Sequence, residues 1–128
     1  MPLWSEYKQE ARERGALAFE LFVVESTAAA PPEKIKATLP AHLAYQKQQE
    51  EAGTLFLAGP LSDDTGEHMK ASGMIVYRAE SMEQAREIAS NDPMHKEGCR
   101  TFTLRKWLIN EGSLSFGIHL SAQSVSVK

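Results

Sequence analysis

A single cysteine in 128 residues excludes an internal disulfide, so packing and hydrogen bonding must hold the fold alone. Cys99 therefore reads as a small buried side chain, and its solitude fits a reducing compartment. No basic block is present. Fourteen Lys and Arg are scattered among seventeen Asp and Glu, for a formal net charge of −3, and no basic face is interleaved with aromatics. Nucleic acid is not an expected partner. No apolar run approaches the ~18 residues of a membrane span, and the opening MPLWSEYKQEARERG is too polar for a secretory leader. The expectation is a soluble cytoplasmic protein with no membrane partner. Walker loop, Rossmann glycine fingerprint and nucleophile elbow are all missing. The four histidines, His42, His68, His95 and His119, do not pair at the i,i+2 or i,i+4 spacing of a zinc site. No metal and no cofactor are expected. The cluster Asp63, Asp64, Glu67, His68 reads as a solvated polar loop.

What is present is enough apolar residue, 42%, to build one core. A single domain over 1–128 is expected, with its core near 17–108, a helix at 3–14 and an extension over 109–128. Ser5 is placed to cap the first helix, which puts Trp4, Tyr7 and Ala11 on one face. Leu17–Glu25 reads as a strand apolar on both faces, and STAAAPP at 26–32 as a loop. A short turn of helix over 33–38 precedes the main helix. That helix starts at Pro40, which fits a first turn, and closes at Gly53. Thr54–Ala58 is a strand ended by Gly59-Pro60, since proline donates no ladder bond. Residues 61–71 read as a loop and Gly73–Ala79 as a third strand. Ser81 and Gln84 form a capping box over a helix buried through Met82, Ala85, Ile88 and Ala89. Asn91-Asp92-Pro93 is a turn, and Cys99–Leu108 a fourth strand that alternates enough to be an edge. Leu114, Phe116, Ile118 and Leu120 alternate with Ser115, Gly117, His119 and Ser121, as in a half-buried strand, and 122–128 reads as a frayed tail.

The element order is βαββαβ, the ferredoxin-like α+β arrangement, with both main helices on one face of a four-stranded antiparallel sheet. Strands apolar on both sides leave the other face needing cover. Burying ~800 Å² of apolar surface is worth roughly 20 kcal/mol gross, before the costs of association. A second copy packed sheet to sheet is the expected partner, with the chain's own helix over 3–14 or its C-terminal strand as the competing cover.

His42 stands out for chemistry. In the first turn of a helix beginning at Pro40, the positive end of the macrodipole would favour the neutral imidazole, which can act as a general base. Asp92, before Pro93, is by itself ordinary turn chemistry. Brought beside an imidazole, it would fix the tautomer through one ring nitrogen and leave the other to handle a proton.

Several short signatures in fixed order resemble the YciI-like (YCII-related) family: His42-Leu43-Ala44-Tyr45, Gly53, Gly59-Pro60-Leu61, Gly73, Ala85, Asp92-Pro93, Gly98 and Trp107. The resemblance covers about Leu17 to Trp107. It implies a ferredoxin-like, dimeric α+β barrel whose pocket brings His42 and Asp92 face to face. Gly59, Pro60, Ser72, Gly73 and Met94 would contact a small-molecule ligand. A cofactor-independent dehydrochlorinase of aromatic degradation is similar to members of this family. The resemblance thus implies proton transfer or elimination on a small polar or aromatic molecule, with a non-catalytic binding or regulatory dimer as the alternative. The segment departs from the family at Met74, where serine often follows the glycine, and at Met94, where an aromatic often follows Asp-Pro.

Overall fold

The computed structural model describes residues 1–128. Two compact units divide the chain: Glu20–Trp107, and a smaller one made of Met1–Phe19 with Leu108–Lys128. The larger unit carries β1 (Phe19–Ala28), α2 (Pro32–Ala52), β2 (Leu55–Ser62), β3 (Met69–Tyr77), α3 (Met82–Asn91), α4 (Pro93–Lys96) and β4 (Arg100–Ile109). The strands form one sheet in the order β2-β3-β1-β4, with β3 antiparallel to both β1 and β2. The architecture is a mixed, ferredoxin-like α+β fold.

Register explains which residues form the core. Phe22 pairs with Tyr77 and Val24 with Ile75, so these four share a face. They pack with Ala85 and Ala89 of α3 and Leu104 of β4 into one buried cluster, flanked by Met82 and Ile88. Alanine at both contact positions of α3 lets the helix lie close to the sheet. Its start is capped as the sequence implies: Gln84 N–H donates to Ser81 Oγ (3.0 Å). The return bond runs one residue further out, from Glu80 N–H to Gln84 Oε1 (2.6 Å).

Four boundaries differ from the sequence reading. Residues 32–52 form one helix, not a short turn followed by a helix at Pro40. Pro32 supplies the N1 proline, and Gly53 takes the left-handed conformation at the C-cap, φ 81°. Pro40 lies inside, where its missing N–H leaves the Lys36 carbonyl without a helical partner. β1 runs on through Ser26 to Ala28, into the segment expected to be loop. β2 continues through Gly59-Pro60 to Ser62, and β3 begins at Met69, shrinking the expected loop to 63–68. β2 is an edge of this sheet, and on an edge a proline need not donate. Asp63 Oδ1 closes the turn by accepting from Thr65 N–H (3.0 Å), Thr65 Oγ1 (2.6 Å) and Gly66 N–H (3.1 Å).

The second sheet face is less bare than the sequence implies. Leu21, Val23 and Val76 lie on it and are already buried within the single chain. Apolar exposure remains at Leu57, Leu61 and Trp107.

In the smaller unit, α1 spans Trp4–Glu13. Leu3 occupies the N-cap without a side-chain bond, so Ser5 lies within the helix rather than capping it. Ala11 packs with Ala18 and Leu108, beside Tyr7 and Ala16. The C-terminal segment corrects two expectations. A hairpin replaces the single strand, and its second arm occupies the supposed frayed tail. β5 (Phe116–His119) pairs antiparallel with β6 (Ser124–Val127). The register sets Phe116 opposite Val127 and Ile118 opposite Val125, and all four side chains are exposed. The turn was hidden because Gln123 adopts φ 49° where glycine or asparagine usually signals the bend.

Candidate active site

The site is built on a run of small residues. Ser26 pairs with Gly73, and Gly73 with Pro60, so three strands present small side chains in one row. A Cβ on Gly73 would lie 3.0 Å from the Gly59 carbonyl oxygen, so β2 and β3 could not keep this spacing around a larger residue. Facing the row, α2 buries none of its residues completely. Between them is a cavity of about 600 Å³, lined by α2, β2 and β3 with Ser26, Met94 and Arg100. Its walls are largely apolar, with Leu39 and Leu43 from α2, Met74 and Ile75 from β3, and Met94 from α4.

His42 projects into this cavity from the middle of α2, one-fifth exposed. It is not in a first turn, so the macrodipole argument for its neutral form fails; the field of a helix end fades within a turn. Asp92 acts on it instead. His42 Nδ1–H donates to Asp92 Oδ1 (2.8 Å) and Oδ2 (2.9 Å). Asp92 is fully buried behind the imidazole and is not part of the cavity wall. The same carboxylate caps α4, with Oδ1 accepting from Met94 N–H (2.9 Å). Asp92-Pro93 is therefore a helix N-cap followed by an N1 proline, not only a turn. Because Nδ1 faces a carboxylate, it carries the proton. Nε2 bonds no group of the chain and, in the neutral ring, offers a lone pair.

Polar groups surround the pair. Tyr45 OH donates to the Ile88 carbonyl (2.6 Å), which ties α2 to α3. Burial, then the Asp92 charge, raises the pKa of Tyr45. Tyr77 is fully buried with no hydrogen-bond partner for its hydroxyl, and burial pushes its pKa up. The Gln46 amide, on the cavity wall, is likewise unpartnered. Of the ligand contacts expected from the sequence, Gly59, Pro60, Ser72, Gly73 and Met94 all line the cavity with His42.

A second polar group escaped sequence reasoning. His95 Nδ1–H donates to the Ala89 carbonyl (2.7 Å), which leaves Nε2 to accept from Ser26 Oγ–H (2.7 Å). Burial lowers the His95 pKa and favours that neutral form. Ser26 Oγ in turn accepts from Arg100 Nε–H (2.8 Å). Ser26 was hidden because its segment read as loop. Arg100 and His95 were hidden because nothing in their spacing announces that β1, α4 and β4 meet. Among His, Cys, Asp and Glu side chains, no group of three or more is gathered as a metal site would need.

Fold and cavity together define a small α+β domain with a histidine–carboxylate pair at the wall of an apolar pocket. The chain belongs to the YCII-related domain family, whose match spans residues 7–108. A curated relative from Emericella nidulans, named "Derivative of benzaldehyde biosynthesis cluster protein C", is 41% identical over 69 residues. That alignment covers 48% of this chain and 67% of the relative. Among solved structures, the fold is similar to 5-chloro-2-hydroxyhydroquinone dehydrochlorinase from Burkholderia phenoliruptrix AC1100, in complex with 2,5-dihydroxybenzoquinone. The TM-score is 0.53 at 21% identity, covering 68% of this chain and 92% of that one.

Proposed function

We propose that this protein is a small cofactor-independent enzyme that moves a proton on, or eliminates a group from, a small polar or aromatic molecule. The observation that carries the reading is the unspent Nε2 of His42, on the wall of a 600 Å³ cavity, in a ring oriented by Asp92 at 2.8 Å. A cavity of this size suits a substituted ring. His42 Nε2 takes a proton from a substrate carbon or hydroxyl, and Asp92 stabilises the imidazolium that results. In an elimination, the electron pair of the broken C–H bond forms the new double bond, and the leaving group departs with its own bonding pair. Gly59, Pro60, Ser72, Gly73 and Met94 shape the pocket around the ring. The fold similarity to a dehydrochlorinase holding a dihydroxybenzoquinone makes hydroxylated and halogenated aromatics the first substrates to try.

The active form in this reading is a homodimer, packed sheet face to sheet face. Its support is the apolar surface left at Leu57, Leu61 and Trp107.

The test is turnover of a panel of hydroxylated and halogenated aromatics by the wild type and by His42→Ala. General base catalysis is worth roughly 10²–10⁴ in rate, and a loss of that order in kcat is expected. Turnover unchanged by the substitution removes the proposed role of His42.

A further inference from the structure

Arg100 is a half-buried cation facing only neutral oxygens. Its Nε–H donates to Ser26 Oγ (2.8 Å), and Nη2 donates to the Ser26 carbonyl (2.8 Å) and the Ala71 carbonyl (3.3 Å). No carboxylate lies within ion-pair distance of it. The Ser26 hydroxyl cannot turn away, because its own hydrogen is held by His95 Nε2 at 2.7 Å. Ala71, at φ 58°, sits where β3 slips register against β2, and this bulge aims its carbonyl at the guanidinium. Nε and Nη2 thus spend every hydrogen on holding the side chain in place. Nη1 keeps both of its hydrogens, and Arg100 lines the same cavity as His42.

A guanidinium fixed this way has been oriented without being neutralised. Burial works against its charge. Such a cation is costly unless something pairs with it; Asp92 favours its charge from beyond ion-pair distance, and no carboxylate of the chain bonds it. The remaining open side is the cavity, whose walls are largely apolar and also carry His42, Gln46 and Glu50.

We infer that Arg100, held by Ser26 and the Ala71 carbonyl, is an anion-recognition residue, and that the ligand is a small organic anion: an apolar ring bearing a carboxylate or an ionised hydroxyl. The anionic oxygen binds Nη1, and the ring packs against the leucine and methionine walls. This inference rests on the reading of the cavity as the substrate site. It adds a selection rule: the acid is bound in preference to its neutral amide or alcohol. Ser26 and His95 are positioning residues, acting through Arg100.

The experiment is calorimetric titration of the full chain with benzoate and with benzamide, a neutral isostere of similar shape. Both are run on the wild type, Arg100→Gln and Arg100→Lys. Wild type is expected to bind benzoate about tenfold or more tighter than benzamide, the worth of one charge-assisted hydrogen bond. Arg100→Gln should erase that preference while leaving benzamide binding in place, which also reports an intact pocket. Arg100→Lys should restore part of it. Equal wild-type affinity for the two probes, or no saturable benzoate binding, overturns the inference whether or not a variant folds. So does a benzoate preference that survives Arg100→Gln. The reading of His42 fails separately: His42→Ala that keeps full turnover sinks the general base and leaves the benzoate preference standing.

Discussion

Asp92 serves two structures at once, and its substitution should show both. One oxygen accepts from His42 Nδ1 and from Met94 N–H, so a single buried carboxylate orients the imidazole and starts α4. Asp92→Ala removes a helix cap and a charge-assisted bond together, an expected cost of ~2–4 kcal/mol in chemical denaturation. Asp92→Asn keeps a carbonyl oxygen that can accept from both donors, and should cost less than half as much. Equal and small losses for the two variants would mean the carboxylate holds neither partner. His42 and Asp92 were singled out by their place among the short signatures of the family; alone, His42 suggested a base and Asp92 only a turn. Their 2.8 Å contact was not legible from the residues alone, since 50 residues separate them. Ser26, His95 and Arg100 carried no local signal; a serine, a histidine and an arginine become a cluster only when three elements converge.

Elements were legible where periodicity and punctuation agreed. The stripe Met82, Ala85, Ile88, Ala89 and the cap at Ser81 gave α3, and both appear as hydrogen bonds and core contacts. Proline misled twice, for one reason: a missing N–H matters only where a partner waits for it. At Pro60 the strand is an edge, so β2 continues through it. At Pro40 the helix accepts one lost bond and runs the full 21 residues. That second misreading had a chemical consequence. It placed His42 at a helix start and gave the ring a helix-end field, whereas what stands beside it is Asp92, which fixes its tautomer. In the C-terminal segment, alternation was right and continuity wrong, because a turn closed by Gln123 has no glycine to announce it.

For the whole molecule, a sheet apolar on both faces led to the expectation of a second copy. That premise needs narrowing, because Leu21, Val23 and Val76 are already buried in one chain. The proposed dimer must therefore bury the remaining apolar rim, and a stable interface needs about 800 Å² from each partner. Light scattering at micromolar concentration should give the mass of two chains, and Leu57→Asp with Leu61→Asp should return one; a wild type that scatters as a single chain removes the dimer. The enzymatic reading does not depend on that outcome, because every residue of the His42 site belongs to Glu20–Trp107. What it depends on is which nitrogen of His42 is free. The direct measurement is a long-range ¹H–¹⁵N spectrum of the imidazole, assigned by its loss in His42→Ala. The neutral ring should carry its proton on Nδ1, with Nε2 bare and its shift moving when a cavity ligand is added. A proton on Nε2, with Nδ1 bare against Asp92, would contradict the account, since no base would then face the cavity.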